Sequence, residues 1–330
     1  MLRTGVVGMG GMGNYRLQVA RQNPDTPVVA FYEPDPKRRA EAEAKYGVPG
    51  YADLGAFFER ERLGLVIITS PDYTHRAPAV MAAEHGVHVL VEKPLASTVE
   101  DAEAIVAAAD RAGVKGHVCF QNRYTPQFIL AQRAVMKGDV GGLITLTCRA
   151  NAKVPRIAWA GQTTVAWFLM SHSIDLGMWI SGMRPKTVYA SGVKKRLVAA
   201  GQPTYDVIHA TFVNEDGTDA VYEGSWTLPD AHPSYLDFTY EVTGTQGSVK
   251  ASTTDEGVQV ITDRMRFGPL DGVALTDGMR GMHVDMYHQF VKAILEDREP
   301  FVSLKDGLIN TRILVALHRS LETGQTEQIA

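Results

Sequence analysis

Several groups of residues in this 330-residue sequence have types and spacings suited to chemistry. Gly8-Met9-Gly10-Gly11-Met12-Gly13 fits G-x-G-x-x-G. It follows the apolar Val6-Val7 and opens a helical pattern at Gly11 and Met12. Twenty positions after Gly13 an acid, Glu33, ends the next apolar run. In that context the glycines form a phosphate loop. Gly8 permits the tight turn, Gly10 lets backbone approach a pyrophosphate, and Gly13 lets helix and strand pack closely. The helix start offers free N–H groups to phosphates. Glu33 is placed to accept from ribose hydroxyls, and its charge repels a 2′-phosphate. NAD is the expected cofactor, with NADP admitted if Lys37, Arg38 and Arg39 offset that charge.

Proton chemistry has two candidate sources. Glu92-Lys93-Pro94 follows an apolar run, Val87–Val91. Ligands of open α/β sheets bind beyond the carboxyl ends of strands, so a lysine there can reach cofactor and substrate. An apolar wall and a cationic ring would lower its pKa. The plainer reading is a surface lysine paired to Glu92. His172 and Asp175 stand at i and i+3 of a helical pattern and so share a face. A histidine is the usual proton acceptor near neutrality, with Asp175 orienting it or a substrate hydroxyl. Trp159 and Trp167 offer aromatic surface to the C–H face of a sugar ring. Lys153 and Arg156 could bind hydroxyls or a carboxylate, and His232, Tyr235 and His283 are weaker candidates. No metal is expected: His283 and His288 are five apart and there is no H-E-x-x-H.

The elements that must position these residues follow from periodicity. Leu2–Val7, Val28–Phe31, Leu65–Thr69, Val87–Val91 and Gly116–Phe120 read as strands apolar on both faces, as in a covered parallel sheet. Helical patterns alternate with them: Gly11–Gln22, Pro36–Lys45, Leu54–Arg60, Thr74–His85 and Ser97–Ala112. Ser97 with Glu100 reads as a capping box. This predicts a doubly wound α/β domain over residues 1–121. After residue 121 come helices at Thr125–Met136 and Ala166–Ile180, with a strand at Leu143–Ala150. Then strands succeed one another at Thr187–Val193, Val207–Phe212, Asp219–Trp226, Leu236–Thr243, Ser248–Ser252 and Val258–Ile261. That predicts an α+β domain over 122–330 with a large, open, mainly antiparallel sheet. Helices at Met282–Glu296 and Leu304–Thr323 close the chain, and the last is a candidate to pack back on the first domain.

Composition narrows the function. Net charge −4 gives no broad basic field for nucleic acid or an acidic membrane. No apolar run approaches a membrane span of roughly 18 residues, and no signal peptide is seen. Two isolated cysteines, Cys119 and Cys148, read as reduced core thiols. A cytoplasmic enzyme is expected. There is no Tyr-x-x-x-Lys and no G-x-x-x-x-G-K-[ST], so short-chain dehydrogenase chemistry and nucleotide hydrolysis are not expected.

The sequence resembles the Gfo/Idh/MocA oxidoreductase family. The resemblance rests on the glycine loop, Ser70-Pro71-Asp72-Tyr73-Thr74-His75, Glu92-Lys93-Pro94-Leu95 and Gln121-Asn122-Arg123-Tyr124. It rests also on His172-Ser173-Ile174-Asp175, Gly244-Thr245-Gln246-Gly247-Ser248, and the closing stretch from Asp306-Gly307 to Gly324. It implies a Rossmann domain followed by an α/β domain with an open sheet. It places Lys93 and His172 at the nicotinamide end, and Ser70, Pro71, His75, Glu92, Gln121 and Asn122 on the cofactor. One position departs: inositol dehydrogenase-like members carry Asp four residues before the histidine, where this chain has Phe168. The implied substrate is a sugar, polyol or other polyhydroxylated molecule, oxidised or reduced at a secondary alcohol. The same fold serves a sugar-responsive regulator that uses cofactor binding as a signal, and enzymes that cycle a tightly held NAD. The second-domain strands have one apolar and one mixed face. With the resemblance, this predicts a homodimer or homotetramer built on that outer face.

Overall fold

The computed structural model describes residues 1–154, 161–254 and 278–329, with short strands at Gln259–Ile261, Met265–Phe267 and Val273–Leu275. Residues group into two compact units: Met1–Gln121 with Gly272–Thr311, and Asn122–Asp271 with Arg312–Ala330. The first boundary falls where the sequence pattern changes. The last helix, 304–323, expected as a candidate to pack back on the first domain, is divided: 304–311 groups with the first unit and 312–323 with the second. The return of 272–303 to the first unit is not announced by the sequence pattern.

The first unit alternates β1 (Thr4–Val7), α1 (Gly11–Ala20), β2 (Val28–Tyr32), α2 (Pro36–Tyr46), β3 (Gly50–Tyr51), α3 (Leu54–Glu61), β4 (Leu65–Ile68), α4 (Arg76–Glu84), β5 (His88–Val91), α5 (Val99–Ala112) and β6 (Gly116–Val118). All neighbours pair in parallel, in the order β3-β2-β1-β4-β5-β6. Every residue of β1 and β4 is buried, because helices cover both faces. The order reverses between β1 and β4, and a crevice for ligands opens at such a switch point. Asp35 caps α2 by accepting from Arg38 N at 2.7 Å, ahead of Pro36. Helix α5 is capped by Thr98, which accepts from Asp101 N at 3.1 Å, in place of the expected Ser97–Glu100 box. The two patterns are offset by one residue; Glu100 is turned outward against Arg76.

The second unit holds α6 (Pro126–Met136), β7 (Leu143–Lys153), α7 (Ser171–Ser181), β8 (Pro185–Val193), α8 (Arg196–Ala199), β9 (Val207–Asn214), β10 (Asp219–Leu228), β11 (Leu236–Gly244) and β12 (Ser248–Ser252). The remaining elements are β13 (Gln259–Ile261), β14 (Met265–Phe267), β15 (Val273–Leu275), β16 (Gly278–Arg280), α9 (Met282–Leu295), α10 (Leu304–Thr323) and β17 (Glu327–Gln328). The large sheet runs β12-β11-β7-β10-β9-β8-β17, and within it β7 and β10 pair in parallel. Alternation puts Leu146, Cys148, Ala210, Phe212, Ala220 and Tyr222 in a core with α6 and α7. Thr147, Arg149, His209, Thr211, Val213 and Val221 face outward. The helix expected over 166–180 begins instead with a π-turn, Ala166–Met170, before α7 proper.

In the first unit α9 packs on α1. Leu304 fills the space a side chain at Gly116 would need, and Val118 and Leu95 do the same at Gly307. These glycines explain how the 272–311 segment lies flush on the parallel sheet.

Candidate active site

The glycine loop follows β1 and caps α1. Gly8 has φ +87°, and a Cβ there would sit 2.9 Å from Ser70 N. A Cβ at Gly13 would strike Gly8 O, so only glycine lets α1 approach the loop this closely. At Gly10 and Gly11 nothing lies within 4 Å of the added carbon. The loop is thus locked from below and open above. The first N–H groups of α1 have no intrahelical acceptor, so this is a cradle that a pyrophosphate fits.

Glu33 is 3% exposed. Its Oε2 accepts from Met9 N at 2.8 Å and its Oε1 from Asp35 N at 3.0 Å. Arg38 Nη2 lies 3.3 Å from Oε1. Of the three basic residues flagged downstream, Arg38 meets the carboxylate and Arg39 bonds the Glu33 carbonyl at 2.8 Å. Glu33 therefore braces the loop and carries a partly neutralised charge. That role for Arg38 could not be read from spacing, because Lys37 and Arg39 were equal candidates.

The turn after β4 carries Ser70 and Pro71. Thr74 Oγ1 donates to Ser70 Oγ at 2.8 Å. His75 is buried, with Nε2 at 2.8 Å from Ser70 O and Nδ1 at 3.1 Å from Leu95 O. Both nitrogens meet backbone carbonyls, so His75 ties this turn to the segment after β5. That segment holds Glu92 and the cis Lys93-Pro94 bond. Arg16, fully buried on α1, donates through Nε to Glu92 Oε1 at 2.7 Å. Glu92 Oε2 accepts the Lys93 N–H at 3.3 Å. Lys93 is half-buried, and burial lowers its pKa to about 8 against the opposing charges of Glu92 and Asp72. At neutral pH it is a charged donor close to its titration point. Gln121 and Asn122 lie on a short 3₁₀ turn, Gln121–Tyr124, and Asn122 is buried.

In the second unit His172 is half-buried in the first turn of α7. Asp175 is 1% exposed and is gripped by Arg123, which is also buried. Arg123 Nε donates to Oδ2 at 2.9 Å and Nη2 to Oδ1. This two-pronged pair fixes α7 to the Gln121–Tyr124 turn. Arg123 lies inside a motif quoted above, but nothing in its spacing identified it as the partner of Asp175. Ser171 Oγ donates to Trp167 O at 2.9 Å, joining α7 to the π-turn. Such single-turn π insertions recur at functional sites.

The aromatic candidates separate. Trp167 stacks on His318 of α10, centroids 5.0 Å apart and 15° between planes. Burial lowers the His318 pKa, and its ring meets Thr164 Oγ1 and Leu314 O, both at 2.7 Å. Phe168 packs against the fully buried Trp226 at 5.9 Å. An aromatic contact thus occupies the position at which the resemblance implies a carboxylate. Lys153 Nζ donates to Asp230 O at 2.8 Å. Trp159 and Arg156 lie outside the described residues. Among the described residues no group of three or more His, Cys, Asp or Glu could hold a metal ion.

Comparison with known proteins agrees along nearly the whole length. Residues 2–120 match the profile of an oxidoreductase family with an NAD-binding Rossmann fold, and residues 128–250 match the GFO/IDH/MocA C-terminal domain. The chain is 24% identical to D-apiose dehydrogenase of Paraburkholderia graminis, over 98% of this chain and 88% of that one. It is 24% identical to myo-inositol 2-dehydrogenase of Thermotoga maritima, over 97% and 96%. In fold it is similar to scyllo-inositol dehydrogenase from Lactobacillus casei with bound NAD(H) and scyllo-inositol: TM-score 0.83, 19% identity, covering 100% and 99%.

Proposed function

The chain belongs to the GFO/IDH/MocA oxidoreductase family, and we propose that it is a nicotinamide-dependent dehydrogenase of a sugar, polyol or related polyhydroxylated molecule. The observation that carries this reading is Lys93. A lysine with a pKa lowered to about 8 stands just past the carboxyl end of β5, in the same unit as a loop shaped for a dinucleotide. A bound NAD supplies the hydride acceptor for a secondary alcohol. His172 takes the hydroxyl proton. Lys93, as its ammonium form, donates to the same oxygen and stabilises negative charge developing there. Arg123 and Asp175 hold α7 so that His172 keeps its orientation. Ser70, Pro71, Gln121 and Asn122 line the cofactor, and His75 holds the turn of Ser70 and Pro71. Lys153, Trp159 and Trp167 serve the substrate. Relatives named for inositol and apiose support a polyhydroxylated substrate. Phe168 in place of Asp argues for one with a less polar face than inositol presents.

NAD is the preferred cofactor in this reading, and the Arg38–Glu33 pair lowers the barrier to NADP. The protein assembles as a homodimer or homotetramer through the outer face of the large sheet. Tyr189, Val213 and Val221 are exposed there, beside the charges of Arg149, Asp237, Glu241 and Lys250. Buried free thiols at Cys119 and Cys148 suit a reducing cytoplasm. The test is a panel of polyols, sugars and their ketones with NAD(H) and NADP(H), followed by cofactor fluorescence. Light scattering reads the assembly: a clean monomer at micromolar concentration removes the dimer.

A further inference from the structure

Arg16 is the largest charged side chain buried without exposure in the first unit, and it sits next to the residue on which the proposed chemistry turns. Its guanidinium makes a fork. Nε donates to Glu92 Oε1 at 2.7 Å, and Nη2 lies at ion-pair distance, also 2.7 Å, from the same oxygen. Nη1 lies 3.0 Å from Nδ1 of His283 on α9. Arginine has no acceptor, so His283 Nδ1 must be unprotonated, with its proton on Nε2. Burial and the Arg16 charge drive the His283 pKa down to about 2, so the ring is neutral. It takes up one arm of Arg16 without spending the charge that Glu92 needs. The Tyr15 ring stands edge-on to His283 at 5.0 Å, and the Cys119 thiol donates to Glu92.

Glu92 and Lys93 are adjacent just past the end of β5, and the Glu92 carboxylate accepts the Lys93 backbone N–H at 3.3 Å. We propose that Arg16 is a positioning residue for Lys93: it draws the Glu92 carboxylate to the α1 side of β5 and keeps it from pairing with the Lys93 amine. The inference rests on the reading of Lys93 as the proton-handling lysine of the site. Among the charged and titratable groups that act on Lys93 are Glu92, Asp72 and Cys119. Without Arg16 the buried Glu92 anion turns to the cation next to it in the chain. A lysine paired in this way holds its proton to higher pH. Arg16 thus keeps Lys93 near its titration point, where a proton donor is most effective.

The test needs neither substrate nor cofactor. Trace acetic anhydride labels neutral amines, and mass spectrometry reads the pH midpoint of Lys93 labelling in the intact protein. For the wild type that midpoint is expected near 8. Arg16→Met raises it by about one pH unit or more, a roughly fivefold loss of labelling at the original midpoint. Glu92→Gln lowers it. In the Glu92→Gln background Arg16→Met moves it no further, because the effect runs through the carboxylate. Should Arg16→Met not fold, Arg16→Lys takes its place; it cannot form the fork, and the midpoint rises by less. A midpoint unmoved in the folded Arg16 variant overturns the proposal. So does an equal shift with and without Glu92. Failure of the dehydrogenase reading would appear as absent turnover with these titrations intact.

Discussion

Each unit of the molecule buries one arginine against one carboxylate beside a proposed proton-handling residue, but the two pairs are built differently. Arg123 meets Asp175 with two nitrogens on two oxygens, and both side chains are sealed. Arg16 meets a single oxygen of Glu92 and spends its third nitrogen on a neutral histidine. The other Glu92 oxygen is held by a backbone N–H. The Arg123 pair engages both Asp175 oxygens and fixes α7 to the turn that carries Arg123. The Arg16 pair leaves a partly satisfied anion one residue from Lys93, where it can shift a titration. A saturated ion pair is a clamp, and a shared one is a tuning element.

Removing one partner tests that contrast most strongly at the clamp. Arg123→Leu strands Asp175 in the core and should cost about 3–5 kcal/mol in urea unfolding. Leucine at both positions should recover most of that loss; equal losses in single and double variants would mean that Arg123 acts by packing alone. Next come the residues the pairs support. Lys93→Ala and His172→Ala should each lower kcat by about 10² or more, while NAD binding measured by fluorescence stays near wild type. A His172→Ala enzyme with unchanged kcat would move the base elsewhere. A third pair, exposed on its arginine side only, gives a smaller effect. Arg38→Ala should weaken NADP(H) binding about tenfold and leave NAD(H) nearly unchanged, because an arginine matches a 2′-phosphate. Equal loss for both cofactors would reduce Arg38 to a brace for Glu33.

The smallest effect lies in the pH dependence of stability. His283 is held neutral in the folded protein with a pKa of about 2, whereas the unfolded chain has an ordinary histidine near 6.5. Unfolding therefore takes up a proton once the pH falls below about 6.5, and stability drops as pH falls, by at most about 1.4 kcal/mol per unit from this group. Above that pH the group contributes no slope. His283→Gln should flatten the acid limb by one proton in urea titrations at several pH values. An unchanged limb would mean that His283 is charged and Arg16 is held some other way.

What the sequence revealed was local. Gly8, Gly10 and Gly13, the acid at Glu33 and the lysine at the end of a strand are readable because they lie within one β-α-β stretch and obey a short-range pattern. Most strands of the two sheets were legible from periodicity; the short β3 and β17 were not, and β13, expected in the large sheet, pairs with β14 apart from it. The partners were not. Arg16 finds Glu92 across 76 positions and His283 across 267, and no periodicity marks an arginine as buried. The choice of Arg38 over its two basic neighbours, and of Thr98 over Ser97 as a cap, depends on side-chain direction within a single turn. The grouping of 272–311 with the first unit hangs on two glycines, Gly116 and Gly307, that look unremarkable in sequence.

The central claim is direct hydride removal from a carbinol carbon. It is tested by giving the enzyme a polyol deuterated at its secondary carbons and weighing the reduced cofactor. The account predicts deuterium in the NADH formed by the wild type, and very little NADH formed by Lys93→Ala or His172→Ala. Unlabelled NADH from the deuterated polyol would contradict it, as would the absence of reduced cofactor with every polyol and sugar offered.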